Sequence, residues 1–121
     1  MSYKISFKVK AEDSEDSYVT VSDECLSATR NLRKVIKSAT GLKWETEANN
    51  GLCKDIIPAI RYGLFELTTS LTRYKKYEDQ KGFETIEACI NFFRAIIGAW
   101  DRFCTNPLTK NLEDSTYFWI E

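Results

Sequence analysis

Histidine is absent from this 121-residue chain, and most small metal and acid–base sites are excluded with it. Zinc needs Cys or His clustered at short spacing. The four cysteines stand far apart, at Cys25, Cys53, Cys89 and Cys104, with no CxxC pair. No metal site and no cofactor is therefore expected. Cys89 and Cys104 fall on one expected helix, where a 1.5 Å rise per residue separates them by about 22 Å, too far for a disulfide. Scattered cysteines on apolar faces point to buried thiols in a reducing compartment. A cytoplasmic location is the corresponding expectation.

Glycine is scarce, at 5 residues, and no GxGxxG, P-loop or GxSxG run occurs. Without histidine, proton transfer would fall to carboxylates, Lys, Tyr or Cys. Glu12, Asp13, Glu15 and Asp16 form an acidic cluster, but it lacks the spacing and the glycine of a calcium loop. Charge of one sign is also missing. Lys+Arg 17 against Asp+Glu 18 leaves −1, which excludes a polyanionic DNA mimic and a globally basic nucleic-acid coat. MSYKISFKVK alternates polar and apolar residues, unlike a signal peptide or transit helix. No apolar run approaches the roughly 20 residues of a membrane span, the longest being Ala95 to Trp100.

What is present fits one globular domain over residues 1–121, with 43% hydrophobic and 13% aromatic residues. Tyr3, Ile5, Phe7 and Val9 alternate with polar residues, the period of a half-buried strand. Tyr18 to Ser22 reads as its hairpin partner across the acidic connection Ala11 to Ser17. Ser22 or Asp23 caps an expected helix with the stripe Cys25, Ala28, Leu32, Val35, Ile36 and Ala39, ended by Gly41. Leu42, Trp44 and Thr46 alternate and suggest a short third strand before the Asn50-Gly51 turn. Asp55 is the expected cap of a second helix, with Pro58 in its first turn. That helix carries the seam Ile60, Leu64, Leu67, Leu71 and Tyr74 and stops before Gly82. A third helix spans about Phe83 to Cys104, and Asn106-Pro107 ends it. Tyr117 to Ile120 reads as a terminal strand. The expected class is α+β: a hairpin, a helix, a possible short strand, two long antiparallel helices and a C-terminal strand completing a small antiparallel sheet.

The third helix is unusually apolar. On a 100° wheel, Glu87, Asn91, Arg94, Gly98, Asp101 and Arg102 share one arc of about 100°, leaving roughly 220° apolar. Such a helix must touch protein on two sides. Either it is the central helix of this domain, or its small-residue flank meets a second copy of the chain. The residues expected at such a subunit interface are Ala88, Phe92, Ala95 and Ala99.

Two further surfaces stand out. Tyr62 and Phe65 point away from the second helix's seam, by roughly 160° and 140°, and exposed aromatics are typical binding anchors. With Trp119 of the tail they are the expected partner-binding residues. Arg30, Arg33, Lys34 and Lys37 share one face of the first helix, a stripe able to track phosphates or simply a solvated face. The reading favoured by these features is a non-catalytic protein-interaction module, forming homo-oligomers and acting as a small accessory or inhibitor protein that occludes its partner. The alternatives are nucleic-acid binding through the basic stripe, and a nucleotide-like small molecule held at a subunit interface.

Overall fold

The computed structural model describes residues 2–11, 17–22, 26–79 and 85–121. Its first strand, β1 (Ser2–Lys10), follows the alternation in the sequence: Tyr3, Ile5 and Phe7 are buried while Ser2, Lys4 and Lys10 face water. β2 (Tyr18–Thr20) pairs antiparallel with its far end, Lys8 opposite Thr20 and Lys10 opposite Tyr18. The tail forms β4 (Tyr117–Ile120), which pairs with the middle of β1 from Ile5–Ile120 to Lys8–Tyr117. Hairpin and terminal strand are thus where the sequence places them, and the class is α+β.

The start of the expected first helix is instead a strand. β3 (Leu26–Thr29) pairs antiparallel with the near end of β1, Ser2 opposite Thr29 and Ile5 opposite Leu26. Leaving Ser2 to Ile5 unpaired would strand backbone donors and acceptors beside a buried face, and Leu26 to Thr29 satisfies them. The cap then moves to Thr29, whose Oγ1 accepts from the Asn31 amide at 3.3 Å. A 3-10 turn (Arg30–Leu32) leads into α1 (Arg33–Thr40). Asp23 and Cys25 lie outside the described residues. Gly41, at φ 76°, ends α1 in the left-handed conformation as expected.

The segment read as a third strand is a π-type helical turn (Trp44–Ala48). Trp44 and Ala48, four apart, both point inward, and alternation therefore fails. The Glu47 carboxylate accepts from the Lys43 amide at 3.0 Å, and the Glu47 amide donates back to the Lys43 carbonyl at 2.7 Å, which ties the turn.

α2 (Cys53–Thr69) starts before Asp55, because the Cys53 amide donates to the Thr116 carbonyl at 2.9 Å and Leu52 bridges to Tyr117. It also ends earlier than the seam implies. Thr68 and Thr69 turn their hydroxyls onto the Phe65 carbonyl, at 3.0 and 2.7 Å, and the chain breaks at Ser70. A short α3 (Leu71–Tyr74) and a 3-10 turn (Lys75–Asp79) follow. The break rotates Leu71 outward to 40% exposure, while Ile60, Leu67 and Tyr74 keep the buried seam. α4 (Ile86–Thr105) is capped by Thr85, whose Oγ1 accepts from the Ala88 amide at 3.1 Å. Phe83 lies outside the described residues. No helix among them is long and apolar enough to cross a membrane.

The helices cover one face of the sheet. Phe7 packs edge-on against Trp100 and Phe103 of α4, with ring centroids at 5.4 and 5.9 Å. Trp44 stands between Tyr3, Phe92 and Phe118 at 6.1, 6.1 and 5.5 Å. α2 crosses closely between α1 and α4 at Gly63, where a Cβ would stand 2.7 Å from Thr40 Cγ2 and 3.0 Å from Phe93 Cε2. The sheet's outer face is aromatic and basic: Tyr18 packs on Trp119 at 4.8 Å, and Lys8 Nζ sits 4.5 Å over the Trp119 ring.

Removal of the ring that joins sheet to helix, Phe7→Ala, is expected to destabilise the fold by about 3–5 kcal/mol in urea unfolding. Val19→Ala, at a half-exposed edge position, should stay within about 0.5 kcal/mol of the parent.

Candidate functional site

Two surfaces on opposite duties emerge, a basic cleft beside α1 and an aromatic ridge on α2. The cleft has a volume of about 340 Å³ and is lined by Tyr3, Arg33, Lys34, Lys37, Lys43, Trp44, Glu45 and Thr46. α1 supplies three of the cations, because spacings of one and three put Arg33, Lys34 and Lys37 on its water-facing side. Gly41 then reverses the chain, which brings Lys43 and the Trp44 turn against the same face. Among the described residues no carboxylate forms an ion pair with these four side chains.

Arg30, expected on the same stripe, is spent elsewhere. Its Nη1 donates to Glu45 Oε1 at 2.7 Å, and its guanidinium lies 5.0 Å over the Tyr3 ring. It neutralises the one carboxylate at the cleft rim and does not line the cleft. The back wall is Trp44, which is buried and whose indole N–H finds no acceptor among the described residues. Indole nitrogen is a donor only, and a buried unmade donor is costly. The Tyr3 hydroxyl is buried beside Glu45 without reaching hydrogen-bond geometry. Burial first, and then Glu45, push its pKa up to about 12, against the opposing pull of Arg30 and Arg33. Lys43 belongs to the same run of basic residues in the sequence, whereas Trp44, Glu45 and Tyr3 were not legible as site residues. They reach the cleft through the π-type turn and the β1–β3 pairing, neither of which has a local sequence signal.

The ridge lies along α2. Tyr62 and Phe65 are 57% and 59% exposed, and with Pro58 and Thr69 they form an exposed line at spacings of four, three and four. This is a second, outward seam on a helix whose first seam is buried. The Tyr62 hydroxyl donates to Glu66 Oε1 at 2.9 Å, and that bond raises the Tyr62 pKa. The Tyr74 hydroxyl donates to the other Glu66 oxygen at 3.2 Å, with Arg73 at 3.7 Å from the same oxygen. Glu66 therefore fixes the Tyr62 ring. Arg61 pairs with Asp101 of α4 at 2.6 Å and borders the ridge.

The remaining candidates fall apart from both surfaces. Trp119 is half-buried on the outer face of the sheet under Tyr18 and Lys8, and does not join Tyr62 and Phe65. Of the α4 flank, Phe92 sits in the core against Trp44, and Ala99 is 1% exposed within this chain. Neither is open to a second copy, because α4 turns that side onto its own sheet and turns. Ala95 is exposed and Ala88 half-buried. Among the described residues no group of three or more His, Cys, Asp or Glu is placed to hold a metal ion, and Glu12 to Asp16 lie outside them.

The described thiols are poor nucleophiles. Burial raises Cys53 and pushes Cys89 up to about 12, and burial followed by Glu113 and Asp101 pushes Cys104 up to about 11.

Since the unfolded thiol ionises near 9.0 and the folded Cys89 holds its proton to about 12, only the unfolded state loses protons between those values. Stability is thus expected to fall as pH rises from about 9 towards 12, and Cys89→Ala should flatten the decline of the urea midpoint. On α4, Ala95→Trp should leave the unfolding free energy within about 0.5 kcal/mol, while Ala99→Trp should cost about 1–3 kcal/mol.

No protein-family model, no curated protein and no solved structure matches this chain.

Proposed function

We propose that this protein acts by binding another protein through the α2 ridge, as a non-catalytic module that occludes its partner. The observation that carries this reading is the exposure of Tyr62 and Phe65, at 57% and 59%, one helical turn apart on a face that no described element covers. Aromatic side chains on anchors at i, i+3, i+4 and i+7 are the means by which a helix seats in an apolar groove. The Glu66 bond to Tyr62 supports the reading further, because an anchor already held in one orientation loses less freedom on binding.

The occupant is a partner with a concave apolar groove rather than a second copy of this chain. The exposed parts of the two rings amount to on the order of 200 Å², well short of the roughly 800 Å² per partner of a stable flat interface. Two anchors of that size suit insertion into a pocket, with polar groups such as the Arg61–Asp101 pair forming the rim.

The double variant Tyr62→Ala, Phe65→Ala is expected to keep the parent's circular dichroism and thermal midpoint. In affinity capture from native host lysate, a protein held by the parent should be lost by about tenfold or more with the variant, as expected for removed hot-spot anchors. Equal capture by both forms would refute the ridge. A dimer of the parent that the double variant dissociates, seen by light scattering, would refute the foreign partner in favour of self-association.

A further inference from the structure

We propose that the cleft between α1 and the Trp44 turn is a binding site for a compact diphosphate-bearing small molecule, a nucleoside diphosphate or its like. The site is independent of the α2 ridge. Four cationic side chains, Arg33, Lys34, Lys37 and Lys43, come from two segments that are separate in sequence and meet around one hollow. Like charges gathered this way repel one another, and among the described residues no carboxylate pairs with them. The carboxylate at the rim, Glu45, is already neutralised by Arg30 at 2.7 Å. The cleft therefore presents four positive charges to whatever enters it.

Ligand chemistry follows from charge and size. A phosphomonoester carries about −1.5 to −2 near neutral pH, and two phosphates in a row are needed to match the four cations. The apolar part of the lining, from the Trp44 and Tyr3 rings and the lysine stems, suits a sugar or base beside the phosphates. The volume of about 340 Å³ lies at the low end of small-molecule sites, roughly 300–1,000 Å³.

The same features disfavour a nucleic-acid strand. A polynucleotide needs a cationic track that continues past one site. Here α1 is eight residues long, and beyond Lys43 the chain turns into Glu45 and Glu47, both exposed. The next phosphates along a strand would find no cation on the Trp44–Ala48 turn.

Titration of the full chain with inorganic pyrophosphate and with ADP, followed by calorimetry at low salt, tests the site. Saturable binding is expected below about 1 mM, the range of a modest small-molecule affinity. The exposed-site double variant Lys34→Gln, Lys37→Gln should weaken it by about tenfold or more with an unchanged thermal midpoint. Absence of saturation, or equal affinity in the lysine variant, overturns the proposal. So does a single-stranded oligonucleotide that binds through Lys34 and Lys37 and is not displaced by pyrophosphate, since that result assigns the face to nucleic acid.

Discussion

Everything else in this fold is arranged around the pairing of β1. A nine-residue strand with one buried face must satisfy its backbone along its whole length, and three short strands divide that task. β2 takes the far end, β3 the near end and β4 the middle. Each partner is too short to stand without β1. Because Tyr3, Ile5 and Phe7 lie on one face, the register of those pairings also decides where the helices sit. A slip of one residue would turn the buried rings to water. The contacts of Phe7 with Trp100 and Phe103, and of Tyr3 with Trp44, carry that register into the helical layer.

The cleft is a consequence of the same constraint. By claiming Leu26 to Thr29, β1 shortens the first helix and leaves Arg30 on a 3-10 turn over the Tyr3 ring. Arg30 is thereby diverted into the Glu45 pair. Arg33, Lys34 and Lys37 stay on the helix, where the Gly41 turn brings Lys43 and Trp44 to face them. The two parts of the basic stripe have different fates although their spacing on a helical wheel is the same.

That division also shows what was legible in the sequence. The alternation of Tyr3, Ile5 and Phe7, the Gly41 cap, the apolar wheel of the third helix and the terminal Tyr117–Ile120 strand each have a local cause, and each is found in place. Leu26 to Thr29 was not legible as a strand, because Ala28 and Leu32 also continue a helical stripe and only the open edge of β1 decides between the two. Trp44 to Ala48 misled for the same reason. Alternation over three residues is too short a pattern, and burial of Trp44 among Tyr3, Phe92 and Phe118 sets its conformation. Exposure of Tyr62 and Phe65 was readable from the wheel, whereas the contacts of Tyr74 and Arg73 with the other Glu66 oxygen needed the break at Ser70.

The apolar surplus of α4 bears on how the molecule meets others. A helix apolar over so wide an arc demands cover on two sides, and this chain supplies both. α2 packs along one side, where Phe93 meets Gly63, and the sheet takes the other through Trp100 and Phe103. Glu87, Asn91, Arg94, Asp101 and Arg102 form the exposed stripe that the wheel describes, joined by Ala95. With α4 satisfied internally, its composition no longer argues for a second copy of the chain. Among the described residues, the large apolar side chains left uncovered together are on α2, where the buried seam faces inward and Tyr62 and Phe65 face out. A single helix thus serves the core with one seam and leaves the other exposed, and the Ser70 break, which ends the helix just beyond Thr69, limits that outward seam to three turns or so.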